Sequence, residues 1–132
     1  MKPVKHVDVA GIDCGSDRMF LISGPCVIEA EDLMLRTAER LKGIAESLSL
    51  PLIFKSSFTK DNRSSLDYFQ GPGLDEGLRI LQKVKDQTGL PVLTDIHYPE
   101  HAAPAAEVVD ILQIPAYLCM QTELVTAAAR TG

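Results

Sequence analysis

The run Lys55-Ser56-Ser57-Phe58-Thr59-Lys60-Asp61-Asn62-Arg63-Ser64-Ser65 gathers Lys55, Lys60 and Arg63 around a single carboxylate, Asp61. Ser56, Ser57, Asn62, Ser64 and Ser65 add small hydrogen-bond donors between the cations. Ammonium point charges, a guanidinium fork and hydroxyl or amide donors are the combination that phosphate and carboxylate groups require. The chain as a whole has the opposite sign, with 13 Lys+Arg against 18 Asp+Glu and a net charge of −5. A solubilising loop is the plain alternative, and on residue types alone the two readings weigh about evenly.

Other residues capable of chemistry sit at comparable places. Cys26 follows Gly24-Pro25, Asp95 and His97 close the run Leu93-Thr94-Asp95-Ile96-His97, and Gln113 precedes Ile114-Pro115-Ala116. Each follows a short apolar stretch. A lone Cys is most often a small buried hydrophobe, but at a strand tip it can serve as a ligand or nucleophile. Asp95 and His97 are two residues apart, so in a strand they share a face and can pair. His6 and His101 read as surface residues. Gly71-Pro72-Gly73-Leu74-Asp75-Glu76-Gly77 is one residue off the dinucleotide fingerprint and follows a loop, so it reads as a helix-start turn.

The elements that must hold these residues are legible as alternating apolar runs and amphipathic stretches. Val4–Ile12, a turn at Asp13–Asp17 and Met19–Ile22 predict a hairpin leading into a first strand buried on both faces. Leu33, Thr37, Leu41, Ile44/Ala45 and Leu48 predict a helix over 30–48. Leu50–Phe54 predicts a second strand; Leu74, Leu78, Leu81 and Val84 predict a second helix stopped at Gly89. A third strand falls at Leu90–Asp95, a helical Ala-rich stretch at Pro99–Val108, and a fourth strand at Val109–Ile114. A last helix runs over Thr122–Arg130 with Thr122 as its N-cap. Four successive β–α units imply a parallel sheet. Either a barrel or an open doubly wound sheet satisfies the pattern. In both, the C-terminal tips of the strands form the site face. Four tips bearing Cys, Lys, Asp, His and Gln favour a site over a solvated rim by about two to one.

Composition excludes several classes. The 132 residues are 45% hydrophobic, which disfavours disorder and collagen. The acidic balance disfavours nucleic-acid binding. No apolar run approaches a membrane span, and three widely spaced cysteines do not make a disulfide framework. A cytoplasmic location without a membrane partner is the expectation.

The segments Gly24-Pro25-Cys26-Val27-Ile28-Glu29, Phe54 through Ser65, Gly71-Pro72-Gly73-Leu74, Leu93 through His97 and Leu112-Gln113-Ile114-Pro115-Ala116 resemble, in order, the N-terminal half of the 3-deoxy-D-manno-octulosonate 8-phosphate (KDO-8-phosphate) synthase family. The resemblance runs from about Phe20 to Gly132. The related 3-deoxy-heptulosonate (DAHP) synthases share the Gly-Pro-Cys segment but carry a Lys-Pro-Arg-Thr-type loop in place of Lys55–Ser65. The fold implied is a (β/α)8 TIM barrel with a hairpin at its bottom, of which residues 1–19 would be hairpin and lead-in and 20–132 four β–α units. Such a barrel typically needs about 250 residues. The reaction implied is aldol-type condensation of phosphoenolpyruvate with arabinose 5-phosphate, with loss of phosphate by C–O cleavage, in lipopolysaccharide precursor synthesis.

By resemblance, Lys55, Ser57 and Lys60 hold phosphoenolpyruvate, and Gln113 and Ala116 line its pocket. Asn62, Arg63 and Ser64 match the arabinose 5-phosphate site, with Pro115 bordering the sugar. Lys60, Asn62 and Asp95 fall at the reacting centre. Cys26 marks the metal-dependent branch, so a divalent metal (Zn, Fe or Mn) is expected, its other ligands lying further along the chain. A homo-oligomer is also implied. Two positions depart from the family pattern: Met120 where Arg is frequent and Tyr98 where Glu is common. The expectation is that the 132-residue chain alone is inactive and prone to associate. A different phosphoenolpyruvate–aldose condensing enzyme and a non-catalytic half-barrel that binds anions are the alternatives.

Overall fold

The computed structural model describes residues 3–132. Strands β1 (Val7–Val9) and β2 (Ile12–Cys14) form an antiparallel hairpin. Its turn is Ala10-Gly11, with φ of 49° and 85°. Two successive positive φ angles are what a two-residue hairpin turn needs, and Asp8 Oδ1 accepts the Gly11 N–H at 3.2 Å. The turn expected at Asp13–Asp17 therefore comes earlier. Asp13 lies inside β2, its carboxylate 2.8 Å from His6 Nδ1.

The remaining strands, β3 (Leu21–Ser23), β4 (Leu52–Lys55), β5 (Val92–Asp95) and β6 (Ile111–Gln113), make one parallel sheet in that order. The strands begin later than expected at Pro51 and Pro91, which lack an N–H and stand just outside β4 and β5. Their carbonyls still accept the N–H groups of Leu21 and Phe54. Four helices follow the strands in turn: α1 (Glu31–Ser47), α2 (Leu74–Thr88), α3 (Ala102–Ala106) and α4 (Thr122–Ala129). The strand order shows no reversal, so the topological switch point of a doubly wound sheet is missing from the described residues.

The two faces of the sheet are covered differently. Leu52, Phe54, Val92 and Ile96 pack with Met34, Ala38, Leu78, Leu81, Val84, Ala105 and Leu124 from the helices. Ile53 and Leu93 point the other way, against Val9 of the hairpin, flanked by Ile12, Cys14, Phe20 and Ile111. Helices thus lie on one face, the hairpin on the other.

Three details correct the reading from the sequence. The first sheet strand is not buried on both faces: Leu21 and Ile22 are 40% and 46% exposed, because β3 is an edge. The buried stripe of α1 is Met34, Ala38 and Ala45, while Leu33, Ile44 and Leu48 are exposed. Of the expected stripe, Ala45 is buried and Leu41 packs against the core; at its start the buried face lies one residue further on, at Met34 and Ala38. Thr122 is the first residue of α4 and Gln121 occupies the N-cap without a side-chain bond. By contrast α2 ends as expected, with Gly89 left-handed at φ 68° and its N–H on the Lys85 carbonyl.

Candidate active site

Strand alternation sorts the inner, hairpin-covered face into two rows. Ile53 and Leu93 form the apolar lower row with Ile111 beside them. Two residues further on, Lys55, Asp95 and Gln113 occupy the same face, and beyond them come Ser57 and His97. The register Leu93↔Ile111 and Asp95↔Gln113 keeps the rows aligned. One strand period therefore converts a hydrophobic floor into a polar ledge.

On that ledge Lys55 Nζ donates to Ser57 Oγ at 2.9 Å and stands 3.7 Å from Asp95 Oδ1. Asp95 Oδ2 lies 3.3 Å from His97 Nε2. The pairing of Asp95 with His97 is the one their spacing allows. Asp95 is 7% and His97 6% exposed. Burial alone would raise the Asp95 carboxyl; hydrogen bonding from His97 and Ser57 and the Lys55 charge outweigh it and hold it near 2. Asp95 is therefore an anion at neutral pH. Asp95 Oδ1 and His97 Nδ1 are buried without a hydrogen-bond partner among the described residues. Such atoms in a native site are where a ligand or water docks.

At the mouth, Lys60 Nζ reaches Cys26 Sγ at 2.5 Å. The Cys26 segment is brought there by the Val27↔Ser57 bridge and by the Ile28 N–H on the Ser57 carbonyl at 3.0 Å. Cys26 is exposed, and all three cysteines are free.

The loop after β4 is anchored by a residue with no chemistry of its own. Phe58 is fully buried, and the glycines of the helix-start turn make room for it. A Cβ on Gly77 would fall 2.2 Å from Phe58 Cβ, and one on Gly71 would fall 2.4 Å from the Phe58 carbonyl. That carbonyl also accepts the Gly73 N–H at 3.0 Å. The glycine spacing that imitates a nucleotide fingerprint is a seat for an aromatic ring.

Gln113 shares the ledge's face; Asn62, Arg63, Ser64, Pro115 and Ala116 make no hydrogen bond or ion pair with its side chains among the described residues. Arg63 and Ser64 line a separate hollow of about 200 Å³ with Asp61, Ser65 and Leu66. Arg63 Nη1 donates to the Leu66 and Tyr68 carbonyls at 3.2 and 3.0 Å, so its guanidinium ties its own loop. Asn62, Gln113 and Ala116 are exposed and Pro115 is buried. A cavity of about 700 Å³ opens elsewhere, on the apolar hairpin end between Val9, Ile22 and Ile111. The ledge with its paired charges, rather than that larger space, carries the polar groups that chemistry needs. His101, expected at the surface, is half-buried edge-on against Phe58 and Tyr98, and burial lowers its pKa. Met120 is 85% exposed.

Cys26 is the one predicted metal ligand, and the described residues contain no group of three His, Cys, Asp or Glu placed to hold an ion. The described side chains by themselves do not constitute a metal centre. No helix among them is long and apolar enough to cross a membrane.

Fold and ledge define an α/β protein that gathers lysines, a hydroxyl and one buried carboxylate at the C-terminal tips of a parallel sheet, the edge where α/β folds place their sites. The model of the DAHP synthetase I family matches residues 4–132, and the chain belongs to that family. It is similar to a 2-dehydro-3-deoxyphosphooctonate aldolase of Trichlorobacter lovleyi, 58% identical over 129 residues, covering 97% of this chain and 47% of the relative. Proteins of the same name from Geotalea daltonii (56% over 130 residues, 98% and 48% covered) and Koribacter versatilis (52% over 129 residues, 98% and 46%) match in the same way. The chain spans about half the length of these relatives.

Proposed function

We propose that the chain forms four β–α units of a (β/α)8 barrel whose whole condenses phosphoenolpyruvate with arabinose 5-phosphate to 3-deoxy-D-manno-octulosonate 8-phosphate and phosphate. The observation that carries this reading is the ledge, with the Lys55 ammonium, Ser57 and an ionised Asp95 on one inner face and the Lys60 ammonium at its mouth, in a chain of net charge −5. Sequential strand order with helices on one face supports the barrel.

In this reading Lys55, Ser57 and Lys60 bind the carboxylate and phosphate of phosphoenolpyruvate, with Gln113 and Ala116 bordering it. Asp95 orients the Lys55 ammonium and, with His97, presents acceptor oxygen and ring nitrogen to the reacting carbons. Asn62, Arg63 and Ser64 receive the sugar phosphate, and Pro115 flanks the sugar. The vinyl C3 attacks the aldehyde carbon, water adds at C2 and phosphate leaves. Cys26 supplies one thiolate to a divalent metal (Zn, Fe or Mn), the remaining ligands coming from outside these residues; such a metal polarises an aldehyde or a water when bound. The assembled enzyme is a homo-oligomer. Three free cysteines fit a reducing cytoplasm.

The test is reconstitution. The chain alone releases no phosphate from the two substrates; mixed with the remaining half of a relative, it does. Turnover with other aldose phosphates but not with arabinose 5-phosphate would instead support a different condensing enzyme of the family.

A further inference from the structure

We propose that Ser56 and Thr94 are positioning residues whose hydroxyls set the spacing of the three strand tips that carry Cys26, Lys55 and Asp95. The inference rests on reading those tips as the site, and concerns side chains that face away from it. Both residues are fully buried on the helix-packed side of the sheet. Thr94 Oγ1 donates to the Ser56 carbonyl at 2.8 Å, and Ser56 Oγ donates to the Pro25 carbonyl at 2.8 Å. The result is a lateral tie from β5 through β4 to the end of β3.

The tie lies where the regular ladders give way to isolated backbone contacts: the Ser56 N–H on the Leu93 carbonyl at 3.2 Å and the Val27↔Ser57 bridge. The β3–β4 register ends at Ser23↔Phe54, and the β4–β5 register ends at Lys55↔Leu93. Past those pairs few backbone bonds remain between the strands, and the two hydroxyls add to them from the helix side. Here each hydroxyl binds a carbonyl next to a working side chain: Pro25 precedes Cys26, Ser56 lies between Lys55 and Ser57, and Thr94 precedes Asp95. The tips are drawn so close that a Cβ on Gly24 would stand 2.0 Å from the Lys55 carbonyl. The 3.7 Å gap between Lys55 and Asp95 spans the strands that Thr94 ties together.

The experiment compares Thr94→Val, Thr94→Ser and Ser56→Ala in the full chain. Asp95 is followed by carboxyl-carbon NMR from pH 7 to 3, and Cys26 by its alkylation rate, mapped by peptide mass. In the parent, Asp95 stays ionised across that range. In Thr94→Val its protonation midpoint rises by about one pH unit, a tenfold gain in proton affinity that brings about half-protonation at the pH 3 end of the range. Thr94→Ser, which keeps the hydroxyl, matches the parent. In Ser56→Ala the Cys26 alkylation rate changes several-fold. Variants that lose only thermal stability, with Asp95 and Cys26 unchanged, overturn the proposal and leave the hydroxyls as mere partners for buried carbonyls. Should Thr94→Val not fold, Ser56→Ala decides the question alone. Both readouts hold whether or not phosphoenolpyruvate binds, so failure of the functional reading is distinguishable.

Discussion

Lys55 and Asp95 face each other from adjacent strands across 3.7 Å, with only 19% and 10% of their side chains exposed. That distance is too long for a hydrogen bond and short for Coulombic attraction in a partly desolvated setting. The pair is held in place by its neighbours, Ser57 on the lysine and His97 on the carboxylate.

The pair predicts an acid-sensitive stability. The Asp95 carboxyl is depressed from 3.8 to about 2 in the fold. Its contribution is therefore fully present above the unfolded value and is lost as pH falls through the folded one. The shift corresponds to about 2 kcal/mol. Urea melts at pH 6 and pH 2.5 measure it. The stability difference between the parent and Asp95→Asn narrows by about two thirds of that amount at pH 2.5, which is still above the folded value.

The proposed function divides the loop cations between the two substrates. Lys60→Met in the reconstituted enzyme weakens phosphoenolpyruvate about ten- to a hundredfold, the loss expected of one charged hydrogen bond. Arg63→Lys spares phosphoenolpyruvate and weakens the sugar phosphate. Calorimetric titration with each substrate separates the two; equal loss of both for either variant contradicts the division.

On the proposed function, metal uptake needs ligands from the other half of the barrel. Among the described residues no three ligands converge, so the chain alone retains no zinc through gel filtration. The reconstituted mixture retains it, and Cys26→Ala in the mixture does not. Elemental analysis of the eluted protein is the check.

Gly77→Ala tests the seat of the loop. The added methyl would overlap Phe58, whose Cβ is 2.2 Å from the ideal position. Overpacking of this kind costs about 1–3 kcal/mol. Because Phe58 lies between Ser57 and Lys60, the variant also weakens anion binding. A lowered melting temperature with unaltered phosphoenolpyruvate affinity would separate the seat from the site.

Asp110 supports the sheet from below. Its Oδ2 accepts the Val92 N–H at 2.8 Å and its Oδ1 accepts from Lys85 Nζ at 2.9 Å. Val92 is fully buried. Asp110→Ala orphans that N–H and costs about 1–3 kcal/mol. Asp110→Asn keeps an acceptor and costs less, as denaturation curves of the two variants will show.

The sequence makes the periodic parts of this protein visible and hides the parts set by long-range packing. The helix α2 is readable because Leu74, Leu78, Leu81 and Val84 mark a single stripe and Gly89 ends it. The stripe of α1 is not, because alanines carry the buried face and larger residues sit on the flank. The hairpin turn is missed because Ala10 gives no sign of its positive φ. Lys55, Asp95 and His97 are legible by period and position. Ser56 is read as a donor for an anion, yet its buried hydroxyl turns to the Pro25 carbonyl; Thr94 and Phe58 are read as strand and loop residues, since their roles depend on what lies opposite them in space. Arg63 looks like a free cation in the sequence, yet two carbonyls of its own loop hold it.

The hairpin of β1 and β2 forms its own two-stranded sheet, and among the described residues no hydrogen bond joins it to the four-stranded one. Its attachment rests on Val9 and its neighbours against Ile53 and Leu93. Contact of that kind is entropic near room temperature and fades on cooling, whereas ladder bonds do not depend on it. The hairpin is thus held to the sheet by a contact that chilling weakens, and its departure would uncover the apolar floor of Ile53 and Leu93 below the polar ledge.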